Sequence, residues 1–157
     1  MTTITRSAMT AIAIAAIAAG SAGVAGAQMK GGSATKANIV ISKANVRMVP
    51  PGSANTAGYM NIRSTGTADT LLRASVPTSV AMMTELHRSL MVDGQMKMVQ
   101  QRSIAIPRNG TRVLTMGSFH LMIMGLKADL VRGQRIPITL TFKKAGTVRV
   151  SAPVAEM

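Results

Sequence analysis

The 157-residue chain contains no cysteine and no tryptophan, and only two histidines, one tyrosine and two phenylalanines. Without cysteine there is no disulfide framework, and no structural zinc cluster, iron–sulfur centre or blue-copper site, all of which lean on thiolate. Acidic residues are scarce as well, 5 Asp+Glu against 18 Lys+Arg. Asp69, Asp93 and Asp129 fall at or near turn signals with no nucleophile elbow beside them, and Glu85 has no second carboxylate for paired acid–base work. Gly-rich phosphate loops are missing too, because Lys30-Gly31-Gly32 opens no strand-to-helix unit. The chain is therefore not expected to be an enzyme. The surplus of positive charge does not make it a nucleic-acid binder. Lys and Arg are scattered singly from Lys30 to Arg149, and Tyr59, Phe119 and Phe142 are too few to stack bases.

Long apolar runs are also lacking. The stretch 11–19 is shorter than the roughly 20 strongly apolar residues a membrane span needs, and it is diluted by alanine. Preceded by Arg6 and followed by Ala25-Gly26-Ala27, it reads as the apolar part of a secretory signal over residues 1–27, cleaved before Gln28. Removing it takes away Arg6 alone, so the mature net charge is 17 − 5 = +12. A field of that sign favours contact with an anionic surface.

What remains is enough for one domain. Residues 28–37 read as a flexible leader, 38–154 as the folded domain and 155–157 as a tail. Short runs rich in Val, Ile, Thr and Met recur between Pro50-Pro51-Gly52, Thr65-Gly66, Asp93-Gly94, Asn109-Gly110, Arg132-Gly133 and Ala145-Gly146. Candidate strands are 39–47, 57–64, 71–75, 84–91, 95–101, 111–116, 119–124, 135–143 and 147–151. No window holds a helical period, and the rhythm predicts an all-β sandwich.

Both histidines stand among methionines. His87 is followed after ten residues by Met98, after twenty-one more by His120, and after one more by Met122. Imidazole with thioether is a soft donor set and points to monovalent copper. Asp93-Gly94 is a two-residue hairpin signal that pairs Met91 with Met96, Ser89 with Met98 and His87 with Gln100. His87 and Met98 then share a face as diagonal neighbours, and His120 and Met122 share one at i and i+2. A slip of one residue at the turn would separate the first pair. Glu85, two residues before His87, is placed either to orient that ring or to stand solvated at the rim. Met82, Met83, Met91, Met96 and Met124 are expected mainly to pack, in the core or on the surface, with Met91, Met96 and Met124 as candidate neighbours of the site.

The four-part spacing resembles the signature of the periplasmic copper chaperones called PCu(A)C. Glu85-Leu86-His87, Met91-Val92-Asp93-Gly94, Met96-Lys97-Met98 and Phe119-His120-Leu121-Met122-Ile123-Met124-Gly125-Leu126-Lys127 extend the likeness. It runs from about Ala44 to Pro153 and includes Pro137-Ile138-Thr139-Leu140-Thr141-Phe142. The resemblance implies a single-domain Greek-key β-sandwich or barrel of cupredoxin-like type, in the periplasm. It implies Cu(I) held by His87, Met98, His120 and Met122, a monomer, and delivery toward the dinuclear copper centre of cytochrome c oxidase. The partners so implied are that oxidase's copper-bearing subunit and a Sco-type thiol chaperone. Two other readings stand beside it: a copper-buffering protein without a client, and an adhesion or lipid-binding β-sandwich whose methionines only pack.

Overall fold

A computed structural model describes residues 31–157, and the expected signal segment lies outside them. The described residues hold eleven strands and no helix: β1 Gly32–Lys36, β2 Ile39–Arg47, β3 Asn55–Ser64, β4 Asp69–Ser75, β5 Ala81–Val92, β6 Gln95–Gln101, β7 Ile104–Ile106, β8 Thr111–Leu114, β9 Phe119–Leu126, β10 Arg135–Phe142 and β11 Gly146–Ala155. Nine of them correspond to the strands expected from the turn rhythm. The other two differ from expectation. β1 lies within the segment read as a flexible leader, and it is held by pairing with β2 despite having little to bury. β7, three residues long, is too short to alternate visibly and is recognised only by its pairing with β4. At the other end β11 continues through Ala155, one residue into the expected tail.

The strands run in the order β6-β5-β9-β3-β2-β11-β10-β4-β7, with β1 added on β2 and β8 on β3. Pairing is antiparallel except between β11 and β2, where Val154 lies beside Val46. β4 touches β5 and β7 touches β3, strands from opposite parts of that order, so the open sheet curls over on itself around one core. Ile41, Ile62, Leu71, Leu121, Ile138 and Leu140 lie fully inside it.

Alternation along β9 is what aims the site. Leu121 and Ile123 are buried in the core, which turns His120 and Met122 to the opposite face. A one-residue slip would bring both apolar side chains out, at about 1.5–3 kcal/mol each, so register and site orientation are held by the same packing.

Candidate metal centre

β5 lies between β6 and β9, and its register with each neighbour assembles the site. Against β6, Ser89 pairs with Met98 and His87 with Gln100, as the Asp93-Gly94 turn requires. Asp93 and Gly94 have φ of 53° and 74°, the two positive values of a type I′ turn, which suits the right-handed twist of the flanking strands. Against β9, His87 pairs directly with His120 and Glu85 with Met122. The two halves of the motif are thus hydrogen-bonded neighbours in one sheet, and all four expected ligands share one face.

The two imidazoles stand with ring centroids 5.9 Å apart and planes tilted by 43°. A metal–nitrogen bond of about 2 Å places an ion about 3.2 Å from a ring centroid, so two rings on one ion have centroids roughly 5 to 6.3 Å apart. The observed separation falls inside that interval.

Both rings are oriented by hydrogen bonds that leave one nitrogen free. His120, 3% exposed, has Nδ1 at 3.0 Å from the Ser118 carbonyl. A carbonyl only accepts, so Nδ1 carries the proton and Nε2 keeps its lone pair. His87 has Nε2 at 2.9 Å from Glu85 Oε2, which accepts from it. Its Nδ1 is then the acceptor nitrogen, and that atom is buried without a hydrogen-bond partner among the described residues. A buried acceptor left empty costs about 1–3 kcal/mol, and a bound cation would relieve it. Of the two roles open to Glu85, the geometry is that of an orienting carboxylate.

Met98, His120 and Met122 line an open pocket of about 190 Å³, with Ser89, Tyr59 and Met116. His87 does not line this pocket. Met98 is 61% exposed and lies on the solvent side of this pocket, while Met122 is half-buried. Among the described residues no three His, Cys, Asp or Glu side chains are grouped to hold a metal, so the candidate donors here are imidazole and thioether.

Sequence reasoning missed Met116 and Ser118. Thr115 to Ser118 form a turn closed by the Ser118 amide on the Thr115 carbonyl, with Gly117 at φ 78°. That is a type II arrangement, which puts Met116 at the outer corner, 55% exposed, and the Ser118 carbonyl under His120. The Met116-Gly117 pair just ahead of the histidine strand is the signal that could have marked it. Of the core and surface packing open to the other methionines, none of the five takes the core. Met82, Met83, Met91 and Met96 are exposed and Met124 is half-buried.

Comparison with known proteins gives concordant results. The sequence model of the family described as putative lipoprotein LpqE-like matches residues 39–154. The putative lipoprotein Lxx21020 of Leifsonia xyli subsp. xyli (strain CTCB07) is 35% identical over 119 residues, 75% of this chain and 70% of that protein. The solution structure of CuI-DR1885 from Deinococcus radiodurans is 34% identical, with a TM-score of 0.52 over 72% of this chain and 75% of that one. The copper-bound PCuAC domain from PmoF2 has a TM-score of 0.66 over 80% of this chain and 98% of that domain. At 18% identity this last likeness is one of fold alone.

Proposed function

The chain belongs to the LpqE-like family and has the PCuAC fold, and from that premise we propose that it is an exported carrier of Cu(I) that binds one ion through His87, Met98, His120 and Met122. The observation that carries this reading is the buried Nδ1 of His87, without a hydrogen-bond partner among the described residues, on a residue paired with His120, whose own Nδ1 is tied to a carbonyl so that Nε2 keeps its lone pair. Two imidazole lone pairs and two thioethers on one face form a neutral, soft set suited to a monovalent ion. That DR1885 was solved as a Cu(I) form supports the same metal here. Without thiolate the ion is held by weaker donors, which suits cargo that must be released.

Delivery toward the dinuclear copper centre of cytochrome c oxidase, with its copper-bearing subunit and a Sco-type thiol chaperone as partners, is the finer part of the proposal. It rests on the resemblance of the motif. The basic surface supports an anionic docking face on a partner, because Asp69 and Glu85, two of the five acids, are already engaged, by backbone amides and by His87. The lipoprotein names of the family and of its relative agree with an exported protein, although this sequence has no cysteine to carry a thioether-linked lipid.

Anaerobic competition for Cu(I) against a chromophoric chelator tests the site. One ion per chain is expected, with a large loss of affinity in His87→Ala and in His120→Ala. Unchanged affinity in the doubly substituted protein would overturn the ligand assignment. Client delivery is tested in a deletion strain, where oxidase activity should fall at limiting copper while growth at excess copper stays normal. The opposite pattern would favour buffering.

A further inference from the structure

Beyond the four-residue set, the β5–β6 hairpin carries more thioethers on the face that holds the histidines. Met91 pairs with Met96, and Met98 follows Met96 by two residues on the same face. The turn begins right after Val92, so Val92 and Gln95 form the hydrogen-bonded pair, and Met91 and Met96 occupy the next, non-hydrogen-bonded position, where facing side chains come closest. Cβ atoms so placed are about 4.5–5.5 Å apart, and two unbranched thioethers springing from them reach a common point easily.

Packing does not account for these residues. Met91 is 64% and Met96 56% exposed, and Met98 is equally open. β6 ends the strand order, and none of its residues is buried. Exposed end strands ordinarily carry charge or proline, so three solvent-facing methionines on one side of such an arm call for another explanation.

We propose that Met91, Met96 and Met98 form a second, thioether-only site for Cu(I), at which the ion is taken up and released. Met98 is common to this site and to the histidine set. An ion arriving at the hairpin moves inward by exchanging Met91 and Met96 for His87, His120 and Met122 while Met98 stays bound. Only metal–ligand bonds change, and copper remains monovalent throughout. Neutral thioethers bind Cu(I) less firmly than a set that includes imidazole, which makes inward transfer downhill, and they attract hard divalent ions poorly. When two ions are present, Met98 remains with the histidines and the Met91–Met96 pair holds the second. The direction of transfer rests on the copper reading above, whereas the hairpin site stands on its own residues.

The test is an anaerobic titration of the mature protein, carrying 13C-labelled methionine methyl groups, with Cu(I) supplied as its acetonitrile complex and followed by NMR. The first equivalent should shift the Met98 and Met122 methyls, and the second should shift Met91 and Met96. Met91→Leu with Met96→Leu, similar in volume and exposed, should retain the fold and the first equivalent, lose the second, and release copper to a chelator more slowly. Two results would overturn the inference: Met91 and Met96 methyls unmoved at two equivalents, or the Leu variant taking up two ions as the wild type does. The protein with His87→Ala and His120→Ala keeps the two readings apart. Loss of the tight site with hairpin shifts retained supports both, and hairpin shifts without any tight site in the wild type would remove the proposed function and leave this inference standing.

Discussion

Ser118 orients His120 through the main chain: its carbonyl accepts the His120 Nδ1 proton at 3.0 Å and, at the same distance, the amide of Ser89 on β5. One carbonyl therefore ties the turn before β9, the ligand strand and the neighbouring strand together. The conformation behind it depends on Gly117, at φ 78°. A Cβ there would meet nothing within 4 Å, so substitution brings backbone strain alone. Gly117→Ala is expected to lower stability by about 1–2 kcal/mol, the usual penalty for a left-handed residue with a Cβ. It should also weaken Cu(I) binding by tilting the ring. Urea unfolding and chelator competition measure the two effects, and full affinity in a destabilised variant would remove Ser118 from the site.

Glu85 acts on His87 in the same manner. Glu85→Ala leaves the ring free to turn, and by the usual effect of groups that orient metal ligands it should reduce Cu(I) affinity about 10- to 100-fold. The residue is partly exposed, so the thermal midpoint should move little. Glu85→Gln, whose amide oxygen can still accept from Nε2, should recover most of the binding. If Ala and Gln behave alike, charge and not orientation is what Glu85 supplies.

Oxidation state offers a separate check. Cu(II) prefers nitrogen and oxygen in tetragonal geometry, whereas half the proposed ligands are thioethers. The mature domain should keep one Cu(I) through anaerobic desalting and lose most Cu(II) added in air. Stoichiometric Cu(II) with a nitrogen-rich tetragonal spectrum, abolished by replacing both histidines, would contradict the thioether-dominated site.

Acid stability should depend on Asp69, which lines a different pocket from Met98, His120 and Met122. Burial raises its pKa, but amides of Lys144, Thr70 and Ala145 and the charge of Lys144 outweigh this and hold the carboxyl below its ordinary value. A lowered folded-state pKa means that ionised Asp69 stabilises the fold fully above the unfolded value, near 3.9, and that the contribution disappears as pH falls through the lower folded value. Asp69→Asn should lower the urea midpoint at pH 7 and shrink the loss seen on acidification below about 4. A variant with the same acid limb as the wild type would show that other carboxylates govern it.

Export makes a prediction about the N-terminus. Protein recovered from the periplasm should begin at or near Gln28 by mass spectrometry. Intact Met1 on that material would contradict the signal assignment.

Local signals explain how much could be read in advance. The β5–β6 register was legible because two adjacent residues, Asp93 and Gly94, accept positive φ and leave one way to pair the flanking strands. The same turn placed His87 and Met98 on one face. β1 was not legible, since Gly32 to Lys36 has no apolar alternation and becomes a strand only by lying against β2. Met91 and Met96 read as packing residues because methionine usually is one, and what exposes them is that the β5–β6 hairpin runs on past Arg88, where pairing with β9 ends, with β6 last in the strand order.

By itself the sequence determined the all-β class, the hairpin register, and the shared face of His87 with Met98 and of His120 with Met122, since each follows from neighbours along the chain. Tertiary structure alone decided that β5 and β9 are adjacent. That adjacency sets His87 opposite His120 and ties the amide of Ser89 to the Ser118 carbonyl that also holds the His120 ring. The pairing joins residues 33 positions apart (120 − 87 = 33). No local turn specifies a contact of that range, and the packing of Leu121 and Ile123 into the common core does.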